Sequence, residues 1–514
     1  MKTRIDGNRL SKMKFDYDLK FPDILCEFYI RHSFTPIWTK NDTVSGKALN
    51  LFGVLKNAGS EGLAPDEYHY RYIEDIFSTS LALENNPERI RYLADLEILM
   101  SDAFLKFTQH LMQGKVDPSA LAPDWEFPEK KFNASEVLET IFSGKDPIIY
   151  IDSISNKDPV YIKLKEALSV YTGIMNRGGW NMIGSSDHLQ KGYVDVLVPE
   201  LKKRLELSGD LPVNNSPPSG FFDDELERSV KRFQIRHGLT PDGIVSEKTK
   251  DVLNIPVEDR IAQIKLNLER LRWLGPFVKE KSITVNIADF SLTMFENGKD
   301  VLKMRVVVGD KFKQTPVFRE DMSYIVLNPE WIIPKSIVID ELFRLYQEDN
   351  NYFTRNNINI LSYVNNSTKE ITPDSVEWEA YRESTVEYIF RQEPGLSNPL
   401  GDIKFIFPNK FSVYLHDTPE KVLFGEEERA FSHGCIRIEK PVELALSLLR
   451  DNKDWKREKL IDAIESGSRI RIDMSENIPV NIIYLTAWID EKGIIQFRND
   501  IYDRDGILAD AFFR

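Results

Sequence analysis

The chain is poor in cysteine: Cys26 and Cys435 are its only two thiols in 514 residues. Two thiols exclude a disulfide framework and a four-thiolate zinc site. No stretch reaches the roughly 18 consecutive apolar residues that a spanning helix needs. Behind Lys2 and Arg4 no apolar segment completes a secretory signal, so no export signal is visible. Positive charge is in deficit as well. Lys and Arg number 67 against 81 Asp and Glu, for a net charge of -14 and a pI near 5.2. That balance argues against a nucleic-acid binder and against a chain held on anionic lipid, because both depend on clustered cations. No fixed-period internal repeat is present.

The length exceeds one compact core and predicts about three domains. Residues 20–190 read as a helical scaffold. Leu93, Leu96, Met100, Phe104, Phe107 and Leu111 share one helix face, and Gly114 supplies a stop. Cys26 lies in an apolar helical stretch here and reads as a structural thiol. Residues 192–256 form a small three-helix module, marked by Val194, Leu197, Leu201 and Leu205, then Leu226, Val230 and Phe233, then a short helix capped by Ser246. Residues 257–280 read as an amphipathic linking helix through Ile261, Ile264, Leu268 and Leu271. From 281 to 475 the pattern changes to period two, with strands expected near Ile283, Met304, Tyr324, Lys404 and Phe411. A polar, partly helical insertion at 336–394 interrupts this β-rich domain, and a lid is the natural reading. Its Asn-rich patch at 350–366 reads as loop. A strand-containing tail at 476–514 closes the chain. The expected class is α+β multidomain.

The chemistry concentrates in Tyr414-Leu415-His416-Asp417-Thr418-Pro419 and in Phe431-Ser432-His433-Gly434-Cys435-Ile436-Arg437-Ile438. If 411–416 is a strand, Phe411, Val413 and Leu415 face one way and Ser412, Tyr414 and His416 the other. Cys435 follows a glycine, which lets backbone approach a bound carbonyl and leaves N–H groups to point at an oxyanion. A thiol becomes a nucleophile when an imidazole takes its proton. His433, two residues from Cys435, points away from it if the segment is extended. His416, on a neighbouring strand, is the preferred base. A metal site from His416, His433 and Cys435 is the weaker alternative, since the spacing matches no zinc motif.

His416, followed after fifteen residues by Ser432-His433-Gly434-Cys435 and then Arg437, resembles the signature of the YkuD-type L,D-transpeptidase catalytic domain. Phe222-Asp223-Asp224-Glu225-Leu226 with Gly238-Leu239-Thr240-Pro241-Asp242-Gly243 resembles the small peptidoglycan-binding module. Tyr29-Ile30-Arg31, Pro36-Ile37-Trp38 and Gly62-Leu63-Ala64-Pro65-Asp66-Glu67-Tyr68 look like the N-terminal scaffold domain of the large, multi-domain members. Asn328-Pro329-Glu330-Trp331-Ile332-Ile333-Pro334 is similar to their strand leading into a capping insertion.

The resemblance implies Cys435 as nucleophile and His416 as proton carrier, oriented by a backbone carbonyl. It implies that Ser432, His433, Gly434 and Arg437 shape the pocket and oxyanion hole, with Tyr414 and Asp417 beside them. The implied reaction is 3→3 cross-linking of peptidoglycan stems through a thioester, releasing D-Ala, with no metal or organic cofactor. Implied partners are stem peptides and glycan strands in the periplasm or cell envelope. An L,D-carboxypeptidase using water, a variant with a protein lysine as acceptor and a non-catalytic wall-binding protein remain the alternative readings.

Overall fold

The 26-residue helix Glu88–Gln113 buries Leu93, Leu96, Met100, Phe104, Phe107 and Leu111 together, as their spacing requires. Gly114 ends it at φ +89, where a Cβ would lie 2.5 Å from Trp273 Nε1. The computed structural model describes residues 18–82, 88–122, 124–126, 130–187, 189–213, 219–275, 281–364 and 367–514. It separates into two units: the chain up to Pro276 together with Leu485–Arg514, and Phe277–Tyr484. No helix among the described residues is long and apolar enough to cross a membrane.

In the first unit, buried carboxylates organise loops. Glu97 accepts N–H bonds from Ile37, Trp38 and Thr39 at 2.6–3.0 Å. Asp102 accepts those of Lys20 and Phe21 and meets His69 at 2.8 Å. The three-helix module comprises Val198–Leu207, Asp224–Arg236 and Glu247–Leu253, capped in the last two cases by Asp223 and Ser246. Their apolar faces, with Ile183 and Leu189, make one core.

The helix Val257–Leu274 is no linker. Its apolar stripe is buried, and so are Asn267, Glu269, Arg270 and Arg272 on its other sides. The C-terminal segment covers them. Asn267 exchanges hydrogen bonds with Thr486 at 2.8 and 2.9 Å, and Arg270 pairs with Asp505, which also accepts from Thr486. The presumed tail thus divides. Its first part belongs to a 14-residue strand of the second unit, and the hairpin Ala487–Ile489/Ile495–Phe497 with helix Arg504–Phe512 completes the first.

The second unit is a circuit of eight strands: β1 (Lys281–Asn286), β2 (Ser291–Glu296), β3 (Lys299–Gly309), β4 (Phe318–Leu327), β9 (Ile403–Ile406), β10 (Leu415–His416), β12 (Ile436–Ile438) and β13 (Ile470–Ile483). Pairing runs β1-β2-β3-β12-β10-β9-β4-β13 and returns to β1. A ninth strand, β11 (Ala430–Ser432), pairs parallel with the end of β3.

The insertion leaves and re-enters between neighbours. Leu327 of β4 and Ile403 of β9 are ladder partners, so the insertion is an enlarged hairpin loop. It holds its own sheet of β5 (Trp331–Ile333), β8 (Tyr388–Gln392), β6 (Ile358–Val364) and β7 (Ser367–Ile371). Phe353, Tyr381 and Phe390 lie in its separate core, with Trp378 packed against them. The Asn-rich patch read as loop therefore contains a strand, because the alternating Ile358 and Ile360 face that core. Boundaries at 336 and 394 leave β5 outside the subdomain it belongs to.

The C-terminal closure is testable. Asp505→Ala removes the carboxylate paired with buried Arg270 and is expected to cost the first unit about 3 kcal/mol in urea unfolding. A change below roughly 0.5 kcal/mol would contradict this structural role for the segment.

Candidate functional site

Short strand β10 pairs parallel with β12, setting Leu415 opposite Ile436 and His416 opposite Arg437. On its other side β10 pairs with β9, setting Lys404 opposite His416. Lateral partners share a face of the sheet, and alternation adds residues two positions along each strand. Tyr414, whose carbonyl accepts the Ile436 N–H at 3.1 Å, and Cys435 continue the polar face. Three strands thereby carry an amine, a phenol, an imidazole, a thiol and a guanidinium on one surface. Leu415, Phe405 and Ile436 are fully buried on the opposite face.

The piece before β10 is not extended as alternation suggested. Asn409 accepts the N–H groups of Phe411 and Val413 at 3.1 Å and donates to the Val413 carbonyl at 2.7 Å. This side-chain turn replaces a ladder and leaves Ser412 at φ +55. The turn also brings the Ser412 carbonyl within 3.9 Å of Cys435 Sγ.

Cys435 itself is half-buried, but its sulfur is enclosed enough that burial pushes the thiol above its usual range. The Tyr414 N–H and hydroxyl, the Lys404 ammonium and the Arg437 guanidinium oppose that rise by favouring the thiolate. Burial of His416 drives its pKa down to about 3, assisted by Arg437 and Lys404 and resisted by the carbonyls of Asp417 and Pro399. Its Nδ1 lies 2.5 Å from the Asp417 carbonyl. A neutral ring has one N–H, which this carbonyl fixes on Nδ1, so Nε2 carries the lone pair. Burial thus favours the neutral form of both the thiol and the imidazole.

The loop before Cys435 is tightly tied. Ser432 Oγ donates to the Cys435 carbonyl at 2.5 Å and accepts the Gly434 N–H at 3.2 Å. Gly434 sits at φ +108, and its carbonyl accepts from Thr315 Oγ1 at 2.9 Å. The Gly434 N–H is therefore engaged, contrary to the reading that glycine leaves it free. For the Cys435 N–H no acceptor is found among the described residues. His433 reaches away to the insertion, its Nε2 lying 2.5 Å from Glu341 Oε1. Arg437 pairs with Glu420. Asp417 offers the site only its carbonyl. Its carboxylate accepts the Asp402 N–H at 3.0 Å, pairs with Lys421, and is so close to Gly401 that a Cβ there would lie 2.5 Å away.

Lys404, Ser412 and Trp331 join this site without any role having been read for them. Lys404 Nζ lies 3.6 Å from the Tyr414 ring centroid, and the Trp331 side chain acts on the Tyr414 hydroxyl, opposing the rise that burial causes. The available signal for Lys404 was a lone cation alternating with Ile403 and Phe405 in an otherwise apolar strand.

This sheet domain carries an imidazole on one short strand and a thiol immediately before the strand parallel to it. Residues 280–457 match the L,D-transpeptidase catalytic domain family YkuD, residues 195–253 the "Putative peptidoglycan binding domain" and residues 23–168 the scaffold domain. The three matches lie in succession along the chain: a scaffold domain, a peptidoglycan-binding domain and a YkuD L,D-transpeptidase catalytic domain. It is 34% identical over 249 residues to a Haemophilus influenzae protein named "Putative L,D-transpeptidase". That match takes in 48% of this chain and 49% of the relative, so the chain spans about half the length of the curated relative it matches. A solved L,D-transpeptidase of Xylanimonas cellulosilytica is 14% identical, with 58% of this chain and 99% of that one covered and a TM-score of 0.19. One from Stackebrandtia nassauensis is 12% identical, with 59% and 96% covered and a TM-score of 0.22. Likenesses this low support no functional statement.

The His416 environment has a measurable consequence. Its pKa falls from 6.5 unfolded to about 3 folded, so the unfolded chain binds the proton first. The resulting stability is intact above pH 6.5 and is lost as pH falls towards 3, amounting to about 3 kcal/mol by pH 4. His416→Gln should flatten the acid limb of the second unit's unfolding free energy between pH 6.5 and 4. An unchanged slope would show that the ring is not buried in neutral form.

Proposed function

We propose that the protein is an L,D-transpeptidase that forms 3→3 cross-links between peptidoglycan stem peptides, with Cys435 as nucleophile and His416 as proton carrier. The observation that supports this reading is the parallel β10–β12 register, which pairs His416, its Nδ1 held by the Asp417 carbonyl, with Arg437, two residues after Cys435. His433 is a poor candidate for the base because Glu341 engages its Nε2.

In the proposed sequence, His416 Nε2 takes the Cys435 proton as the sulfur attacks the carbonyl of the donor's third residue. The Cys435 N–H is the proposed oxyanion donor, and loss of one such donor typically costs about 10²–10³ in rate. The imidazolium then protonates the departing D-Ala amine. The thioester keeps the acyl group activated, so the side-chain amine of a second stem completes the cross-link without ATP. The helical module is proposed to hold the enzyme on glycan-rich wall in the cell envelope, raising the local substrate concentration. The insertion is proposed to act as a lid that excludes water and so favours amine over hydrolysis.

Intact-mass measurement after incubation with a tetrapeptide donor tests the chemistry. Wild type should gain the acyl mass with loss of D-Ala, Cys435→Ala should gain nothing, and His416→Ala should acylate at least 10²-fold more slowly. A fully active His416→Ala paired with an inert His433→Ala would reverse the base assignment.

The lid reading has its own check. Replacing residues 336–394 by a short Gly-Ser linker removes most of the insertion and keeps the eight-strand circuit, Trp331 and Pro399. The share of hydrolysed product should then rise at fixed acceptor concentration. An unchanged ratio in a folded variant would end the lid proposal.

A further inference from the structure

Among the charged groups near the proposed nucleophile, Lys404 has no assigned task. It sits at the middle of strand β9, directly across the ladder from His416. Its Nζ is held over the Tyr414 ring, 3.6 Å from the centroid, a strong cation–π placement. The Tyr414 ring lies 5.6 Å from that of His416. The Tyr414 N–H and hydroxyl both act on the Cys435 sulfur in favour of the thiolate. Lys404 and the thiol segment thus flank the Tyr414–His416 segment on its two sides.

The charged and titratable groups facing this cluster come from several elements. Arg437 on β12 is the second cation, and Glu420 already neutralises it in part. Arg469 acts on Lys404 from the segment before β13 and pairs with Glu330 at 3.1 Å. Tyr414, just before β10, and His416, on it, complete the set. Neither cation makes His416 a better acceptor, because positive charge opposes imidazolium. Each favours a thiolate, for the same Coulombic reason.

We propose that Lys404 is a positioning residue for Cys435: its ammonium fixes the Tyr414 ring so that the phenol O–H donates to the sulfur, and supplies positive charge as the thiolate forms. This rests on the reading of Cys435 as the nucleophile. The arrangement separates two functions that a thiolate–imidazolium pair combines. His416 stays neutral and able to accept the proton, while the charge left on sulfur is balanced from the opposite strand. No co-reactant is needed: the S–H bond breaks, the proton passes to Nε2, and the electron pair remains on sulfur.

The test uses the full chain in a Cys26→Ala background, so that Cys435 is the only thiol, and follows iodoacetamide alkylation against pH. Lys404→Met should raise the apparent thiol pKa by about one unit and slow alkylation about tenfold at pH 7.5. Lys404→Arg should restore the rate to within roughly twofold, since a guanidinium also stacks on the phenol ring. Tyr414→Phe should shift the pKa in the same direction, and its effect should not add to that of Lys404→Met. With tetrapeptide donor, Lys404→Met should lower kcat about tenfold and leave KM unchanged. Near-UV circular dichroism establishes that the variants are folded. A Lys404→Met protein that is folded and titrates like wild type overturns the proposal, as does an arginine variant no better than methionine. Alkylation needs no peptide substrate, so a failed transpeptidation assay with the expected pKa shifts would count against the proposed reaction and not against the role of Lys404.

Discussion

The parallel pairing of Leu415–His416 with Ile436–Ile438 is the contact on which the rest of the site depends. Only a few ladder bonds hold these short strands, yet they set which side chains share a face. β9 and β3 flank the pair and suppress a register slip, which would turn the thiol and the imidazole inward. Burial then fixes protonation. Low dielectric penalises charge on sulfur and imidazole alike, and the two cations bias the outcome towards anionic sulfur over cationic ring. Both groups are therefore favoured in their neutral forms.

The insertion is joined to this face by topology and by side chains. It emerges between adjacent ladder partners, so its neck is fixed by β4 and β9 whatever happens further out. Its own aromatic core lets it hold shape without support from the circuit. Two of its residues reach the reactive face: Trp331 meets Tyr414, and Glu341 meets His433. Glu341 lies in Val338–Leu342, where the helix widens to a π turn, a local distortion common at functional positions. Lys313, from the loop that packs on Gly434, approaches the same carboxylate at 3.8 Å.

The helical unit follows a different principle. Its central helices bury carboxylates and guanidinium groups that amphipathic patterning would place in water. Glu97 and Asp102 are held there by backbone N–H donors, and Arg272 by Glu269 at 2.7 Å. Such groups are costly when unpaired, so they tie the loops and the C-terminal segment to one arrangement.

Local pattern determined a good deal. Period 3.6 in Glu88–Gln113, the caps at Asp223 and Ser246, and period two from Ile283 onward gave the α+β division, because each reflects burial of a face by neighbours in sequence. Strand geometry favoured His416 as the partner of Cys435, and the family came only from the resemblance of the motif from His416 through Arg437. What the sequence could not decide was anything that depends on distant segments meeting. Residues 257–280 read as an amphipathic linking helix because the partners of Asn267 and Arg270, Thr486 and Asp505, lie more than 200 residues on. Phe411 to Tyr414 read as strand because an Asn side chain replaces the ladder there. Lys404 carried no signal of its own, since its meaning comes from the strand placed beside it. Periodicity reports which face of an element is covered, whereas strand order and register decide what covers it and which polar groups it brings together.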